Sequence, residues 1–350
     1  MRRSNIELLR IVLMLFIVMH HFIVNVVFRD LFYGDSVNYE TNVAALVNSF
    51  LYSAVNCFVL ISGYFGIRFK WKGIFSIYLV LLFYGLIDLF SAYCFSGQSI
   101  TRSSFLSTIL CFSHSRLWFI QCYIALYFMS PLLNKGLERL IKREYLLVVI
   151  LFSILNLYFG YYWRGEKFNL NGYTTAQFVY MYILGGYLRK YVSNTLINRT
   201  RWVNLCLYFL FSIIWGELTI LSRKTYIAHW YPWSYNNIFL VLAAVSFFCF
   251  WLSFDFENKF VNYLASGCLS IYALHCSAYI GETVLYGKVG IVCEFLKQNY
   301  GLGATFLSIF IFAGVLVFAV LLVDCLRRVL MRPLWHIWDK LASASSNVNE

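Results

Sequence analysis

The sequence predicts an all-α membrane protein, a polytopic bundle of about ten transmembrane helices with both termini in the cytoplasm. Of its 350 residues, 61% are hydrophobic and only 13% are charged, a balance far too apolar for a soluble domain. The apolar residues form runs long enough to cross a bilayer, and Lys and Arg cluster in alternate connections between them. The net charge of +12 therefore predicts contact with anionic membrane lipid and no nucleic-acid partner.

The predicted helices follow one another without a linker rich in Pro or Gly, so we expect one membrane domain, residues 1–340. The polar tail 341–350 is predicted to be disordered. A short basic start and the absence of a small-residue cleavage site indicate that the first helix is retained. The ten apolar runs are residues 7–28, 43–65, 74–95, 117–133, 145–162, 173–191, 202–221, 237–253, 264–286 and 303–324.

The orientation follows from the basic residues in the loops. Placing the N-terminus in the cytoplasm puts most of the 28 Lys and Arg residues on that side. Clusters at Arg2–Arg3, Arg68–Lys72, Lys135–Arg143, Arg189–Arg201 and Arg327–Arg332 all fall there. An even number of spans with both ends inside is the prediction.

Helix geometry singles out a polar stripe on the first helix. At about 100° and 1.5 Å per residue, Arg10 and His21 lie within roughly 20° of each other and about 16 Å apart. Glu7 and Asn25 fall within about 60° of Arg10, whereas His20 lies roughly 80° away. Ionisable residues inside a membrane are expensive, which predicts a functional site. The plainer alternative is that Arg10 snorkels to the headgroups and His21 only packs.

Cysteine spacing predicts no metal site. The ten cysteines include no Cys-x-x-Cys pair, and most lie in apolar runs where cysteine acts as a small hydrophobe. A disulfide among Cys94, Cys111 and Cys293 is left open.

The predicted outer segments are short and aromatic. The segment 226–237, YIAHWYPWSYNN, fits an interfacial belt better than a sugar-binding surface. His114 is predicted to be external.

Five stretches resemble one known pattern. ELLRIVLMLFIVMHHF places ten residues between Arg10 and His21, and CFVLISGYF places Ser62 and Gly63 on a second motif. The others are LWFIQCYIALYFMSPLLN from Leu117, MYILGGYLRKY around Gly185 and SIYALH ending at His275. Together these resemble the acyltransferase-3 family of integral membrane acyltransferases that modify bacterial surface glycans. One departure is the loop GIRFKWKG, which is poorer in arginine than the family's usual stretch there.

The resemblance implies a ten-helix fold in the bacterial plasma membrane and transfer of an acyl group, most often acetyl. The donor would be cytoplasmic acyl-CoA, used as a substrate with no bound cofactor, and the acceptor a hydroxyl of a surface glycan or lipid-linked oligosaccharide. We expect His21 to act as general base or transient acyl carrier, because histidine is the usual activator of a hydroxyl. Arg10 would bind a CoA phosphate or stabilise the thioester oxyanion, with Glu7 orienting it.

Weaker candidates for substrate binding are Ser62, Trp118, Tyr123 and His275. Helix packing by the small pair Ser62 and Gly63 is the favoured explanation of Ser62, and aromatic packing explains Trp118 and Tyr123 at least as well as substrate binding. Asp88, Glu217, Glu282 and Asp324 receive no role. The alternative function is a polytopic transporter or flippase of a lipid-linked glycan, although the inverted repeats expected of that class are not visible.

Overall fold

A computed structural model of the chain describes residues 3–29, 37–113, 115–162, 166–225, 233–334 and 338. Every regular element in these ranges is helical, as predicted. The α-helices are α1 (Ser4–Phe22), α2 (Tyr39–Leu51), α3 (Ala54–Phe65), α4 (Trp71–Ser96), α5 (Arg102–Ile109), α6 (Trp118–Arg139), α7 (Lys142–Leu155), α8 (Glu166–Asn169), α9 (Thr175–Tyr191), α10 (Asn194–Arg199), α11 (Arg201–Thr225), α12 (Ile238–Leu252), α13 (Lys259–Ala265), α14 (Cys268–His275) and α15 (Tyr286–Leu330).

Three π-helical segments extend these helices: Ile23–Val27 after α1, Asn156–Tyr162 after α7 and Ala278–Leu285 before α15. Short 3₁₀ turns occupy Cys111–Ser113, Ser115–Leu117 and Leu170–Gly172. The long helix α15 is broken at Gly301, whose φ of 77° lies in the left-handed region that favours glycine.

Six helices in the described ranges are long and apolar enough to cross a membrane: Ser4–Val27, Tyr39–Phe65, Trp71–Ser96, Lys142–Tyr162, Arg201–Lys224 and Ala278–Leu330. Helix α12 is apolar but shorter, at 15 residues. Helices also occupy the other predicted runs, but the count of ten spans and the cytoplasmic termini stay predictions, as does the single-domain boundary. The predicted tail lies outside the described residues.

Helix α1 is the centre of the bundle. It packs against α3, α13, α14 and α15. Leu9, Leu13, Val18 and Phe22 on α1 are fully buried. On the outside of the bundle, Phe310, Val315, Phe318 and Leu322 of α15 are at least half exposed, which suits a surface that faces lipid. A helix that is packed on several sides by other helices therefore carries the predicted polar stripe.

The helices α3 and α9 cross at two glycines. A Cβ at Gly63 would collide with the backbone carbonyl of Tyr182, and a Cβ at Gly185 would lie 2.7 Å from the backbone nitrogen of Tyr64. Such backbone contact is typical of small residues in membrane helices. Gly63 thus has the packing role that the sequence suggested for the Ser62–Gly63 pair.

Candidate active site

The start of α1 is hydrogen-bonded to the end of α12 and to the residue that precedes α13. The backbone N–H of Asn258 donates to Ser4 Oγ over 2.7 Å, and Asn5 Nδ2 donates to the carbonyl of Trp251 over 2.9 Å. Ser4 and Asn5 are fully buried. These bonds set the depth and rotation of α1, and with them the position of its polar stripe.

Arg10 lies near this end of α1 and pairs with Glu7. Its Nη1 atom is 3.1 Å from Glu7 Oε1 and 3.4 Å from Oε2, which are one turn earlier on the helix. The Glu7 side chain is only 7% exposed, whereas the Arg10 side chain remains 33% exposed. Glu7 therefore holds the guanidinium from one side and leaves its other donors open.

His21, further along α1, meets His275 at the end of α14. Nδ1 of His21 lies 2.9 Å from Nε2 of His275. Nδ1 of His275 lies 2.6 Å from the carbonyl of Ile271, one turn back in its own helix. His275 is fully buried, while His21 is partly exposed. The two predicted histidines, 254 residues apart in sequence, form one hydrogen-bonded chain.

This chain fixes the tautomers of the neutral rings. A carbonyl oxygen can only accept, so Nδ1 of His275 carries its proton and Nε2 of His275 is an acceptor. Nδ1 of His21 must then be the donor, which leaves Nε2 of His21 unprotonated. The lone pair available for proton transfer is therefore on His21 Nε2.

His20, the neighbour that helix geometry set aside, points to a different partner. Its Nδ1 lies 2.7 Å from Oδ1 of Asn48 on α2, and its ring packs edge-on against Tyr52. His20 is 8% exposed. Adjacent positions on α1 thus carry one histidine bonded to an amide and one bonded to a second histidine.

A helix break directly after His275 sets the position of its ring. The π-helical segment Ala278–Leu285 begins after Ser277, whose Oγ accepts the N–H of Gly281 over 3.0 Å. A Cβ at Gly281 would collide with the carbonyl of His275, so only glycine fits this approach. The other histidine, His21, also lies just before a π-helical segment, and such segments are frequent at functional sites.

A cavity of about 1240 Å³ is lined by Arg10, His21 and Asn25 of the polar stripe, whereas Glu7 is not among its lining residues. Arg10 lines it near the start of α1, His21 lines its middle, and Asn25 and Arg29 line it beyond the helix. From Arg10 to His21, both within α1, is about 16 Å at 1.5 Å per residue. One continuous space therefore reaches from the guanidinium to the histidine pair and past it.

Three further predicted residues, Ser62, Trp118 and Tyr123, line the same cavity. Ser62 Oγ donates to the carbonyl of Phe58 over 3.1 Å and lies 3.5 Å from the hydroxyl of Tyr123. The Trp118 ring also packs on Tyr235, with ring centroids 5.5 Å apart. The structure thus brings these side chains to the cavity, and their role in binding substrate stays a prediction.

Two rings of the aromatic segment 226–237 are buried inside the bundle, so the expectation of an interfacial belt is wrong for them. Residues 226–232 lie outside the described part of the chain, as does His114. Trp233 and Tyr235 are 2% and 4% exposed, and Tyr235 stacks on Tyr52 at 4.5 Å between centroids. These two rings therefore form an inner wall beside the cavity, because they cover Tyr52 and the buried Trp215.

A network of buried amides, unpredicted by the sequence, holds this wall in place. Nε2 of Gln177 donates to Asn56 Oδ1 over 3.0 Å and to the carbonyl of Tyr235 over 2.9 Å. Asn56 Nδ2 donates to the same carbonyl over 2.9 Å. The network joins α3, α9 and the chain before α12.

Cys276 is a residue that sequence reasoning missed. Its Sγ lies 3.4 Å from His275 Nε2, and the candidate metal-ligand atoms of His21, His275 and Cys276 lie within 4.8 Å of one another. The hydrogen bonds of the two histidines account for this proximity without an ion, and the absence of a metal site stays a prediction. The sequence could have pointed to Cys276 only through its position directly after His275.

The other cysteines show no pairing. All ten lie in described ranges and are free thiols, including Cys94, Cys111 and Cys293. Burial raises the pKa of Cys111 to about 11, so this thiol is a poor nucleophile.

Asp324, which received no role from sequence, is fully buried between two arginines. Its carboxylate lies 2.6 Å from Arg327 Nε and 2.9 Å from Arg328 Nε, and Ser270 Oγ donates to it over 2.5 Å. It joins α15 to α14, the helix that ends at His275. Glu282 pairs with Arg116 over 3.1 Å, and both residues line the cavity.

Comparison with known proteins gives one match. The sequence profile of the Acyltransferase domain family, acyltransferase-3, matches residues 3–326, nearly the whole chain. Searches of curated proteins and of solved structures found nothing that matches. The apolar helices together with this match indicate a multi-pass membrane protein with acyltransferase activity. The chain belongs to the acyltransferase-3 family of membrane acyltransferases.

Proposed function

We propose that the protein moves an acetyl group from cytoplasmic acetyl-CoA to a hydroxyl of a surface or lipid-linked glycan in the bacterial plasma membrane. The observation that carries the proposal is one cavity lined by Arg10 near one end and further along by His21, which is hydrogen-bonded to His275 behind it. A donor with a charged head and a long narrow arm suits such a space.

Arg10 is the proposed donor-binding residue. Glu7 occupies one side of its guanidinium, and a third of the side chain remains exposed at the cavity. Guanidinium groups bind phosphate through charge-assisted hydrogen bonds. On the predicted orientation this end of α1 faces the cytoplasm, where acyl-CoA is available.

His21 is the proposed catalytic residue. Its Nε2 atom accepts the proton of the acceptor hydroxyl while that oxygen attacks the thioester carbonyl. Collapse of the tetrahedral intermediate breaks the C–S bond, and the imidazolium returns the proton to the CoA sulfur. During this step His275 Nε2 accepts a hydrogen bond from the charged ring of His21, so His275 is a positioning residue.

A covalent route uses the same atom. His21 Nε2 attacks the thioester, CoA leaves as a thiolate, and the acyl group stays on the imidazole. The acceptor hydroxyl then attacks the acyl group, the imidazole leaves, and the thiolate takes up the hydroxyl proton. Incubating the protein with radioactive acetyl-CoA in the absence of acceptor distinguishes the two routes. The covalent route leaves label on the protein, whereas direct transfer leaves none.

The test compares glycan O-acetylation in cells that lack the protein and in cells that carry it as wild type, His21→Ala, Arg10→Ala or His20→Gln at matched protein level. Mass analysis of the glycan, with and without mild alkali to release esters, is the readout. We expect the glycan to lose its acetyl groups in cells that carry His21→Ala or Arg10→Ala. His20→Gln is the control, because its amide can still donate to Asn48.

Two results would contradict the proposal. Full acetylation with His21→Ala would exclude the mechanism. Identical glycans with and without the protein would exclude the function and leave the flippase as the next candidate, tested by the sidedness of lipid-linked glycan.

A further inference from the structure

A second cavity of about 580 Å³ lies beside the first, between α4, α5 and the π-helical segment Ala278–Leu285. Its volume is within the range of small-molecule sites, about 300–1000 Å³. Its polar lining consists mainly of hydroxyl, amide and carboxylate groups, from Asp88, Gln98, Ser104, Ser107, Thr108 and Thr283.

The two cavities meet at Cys276 and Arg116, which line both. Cys276 follows His275 directly, and its Sγ is 3.4 Å from His275 Nε2. A ligand in the second cavity that extends past Cys276 therefore comes close to the histidine pair.

The charge of the second cavity argues against the donor as its occupant. Among the described residues that line it, Arg116 is the only base, and its guanidinium lies 3.1 Å from Glu282. Asp88 adds a carboxylate, which is held in place by the N–H groups of Tyr279 and Ile280 at 3.1 and 2.7 Å. Such a lining repels the phosphates of CoA and offers hydrogen bonds to a neutral polyol.

The position along the helices agrees with an outer location. Asp88 lies 17 residues after Trp71, the first residue of α4, which corresponds to about 25 Å. The basic loop Arg68–Lys72 at the start of α4 is predicted to be cytoplasmic, so Asp88 lies toward the opposite face.

We infer that the second cavity is the acceptor subsite, which binds a sugar ring of the glycan and delivers its hydroxyl past Cys276 to His21. This inference rests on the proposed acyl transfer. It separates the two substrates in space: the donor enters along α1 from Arg10, and the acceptor enters between α4, α5 and the π-helical segment.

The experiment obstructs the cavity from each wall. Ser107→Trp fills it from α5, and Ser103→Trp is the matched control, because Ser103 is an exposed residue of the same helix and is not among the cavity's lining residues. Thr283→Trp fills it from the other wall at an exposed position, with the neighbouring exposed Val284→Trp as its control. The second pair keeps the test valid if the first fails to fold.

Two reactions are measured for each variant. The first is acetyl transfer to the host glycan in membranes supplied with radioactive acetyl-CoA. The second is slow hydrolysis of acetyl-CoA by the purified protein, in which water replaces the glycan. We expect Ser107→Trp and Thr283→Trp to lower glycan acetylation at least tenfold and to leave hydrolysis within twofold, while both controls leave both reactions unchanged.

The outcomes separate the two claims. Wild-type glycan acetylation in both obstructed variants would overturn the acceptor subsite and leave the acyl transfer intact. Equal loss of hydrolysis and transfer in folded variants would overturn it as well, by assigning the cavity to the donor. Absence of both reactions in the wild type would overturn the proposed function, and the subsite with it.

Discussion

Replacing His275 by Ala tests the histidine chain most directly. The substitution removes the acceptor of the His21 Nδ1 proton, which now lies 2.9 Å away. In the transition state that proton belongs to a charged imidazolium, and a hydrogen bond to a charged group is worth about 1.5–3 kcal/mol. Because each 1.36 kcal/mol changes a rate about tenfold, we expect kcat to fall roughly 10- to 150-fold.

The measurement is acetyl transfer as a function of acetyl-CoA concentration, with folded protein quantified for each variant. KM for acetyl-CoA should stay near the wild-type value, since Arg10 is untouched at the far end of the cavity. His275→Gln is the conservative variant, because its amide oxygen can accept the same proton and restore part of the rate. Activity of His275→Ala within twofold of wild type would refute the assignment of the His21 tautomer.

Three further substitutions test the framework around the site. Gly63→Val places side-chain atoms against the backbone of Tyr182 and should abolish folded protein in a thermal unfolding assay, whereas Gly136→Val, at a helix position with no neighbour within 4 Å, should not. Gly281→Val should displace the His275 carbonyl and remove activity, with Gly314→Val, which has no neighbour within 4 Å and lines neither cavity, as its control; equal activity of the pair would contradict this. Asp324→Ala leaves two arginines unpaired in the bundle and should lower the free energy of unfolding by about 3–5 kcal/mol, measured by denaturant titration in detergent; an unchanged midpoint would show that the ion pairs contribute no stability.

The helical character and the polar stripe of α1 were predictable, because both depend on local periodicity and on the cost of charge in lipid. Helix geometry alone separated His21 from His20, and the two residues do contact different helices, α14 and α2. That separation needs no knowledge of the rest of the chain.

The partner of His21 was not predictable from local pattern. His275 lies 254 residues away, and only the packing of α14 on α1 brings the rings together. The break after His275 was equally hidden, since it depends on Asp88 accepting N–H groups 191 and 192 residues later. Asp88 could be noticed in the sequence as a charged residue in an apolar run, but its bonds to the N–H groups of Tyr279 and Ile280 could not be predicted.

The aromatic segment shows why composition misled. Trp and Tyr near a predicted membrane boundary usually mark the interface. Here Trp233 and Tyr235 turn inward, because amides from α3 and α9 bind the Tyr235 carbonyl. Aromatic content alone does not distinguish a ring that faces the headgroups from one that covers a cavity.

The π-helical segment Ile23–Val27 gives α1 one place where its length can change by a residue without a change in the direction of the chain. A π segment accommodates one residue more than regular α-helix in the same hydrogen-bonding frame, so it behaves as a single-residue insertion in the gene. Deleting one residue within it would restore α-helix and leave Arg29 near the cavity, because the wider turn had absorbed the extra residue. His21 precedes the deletion and would stay beside His275.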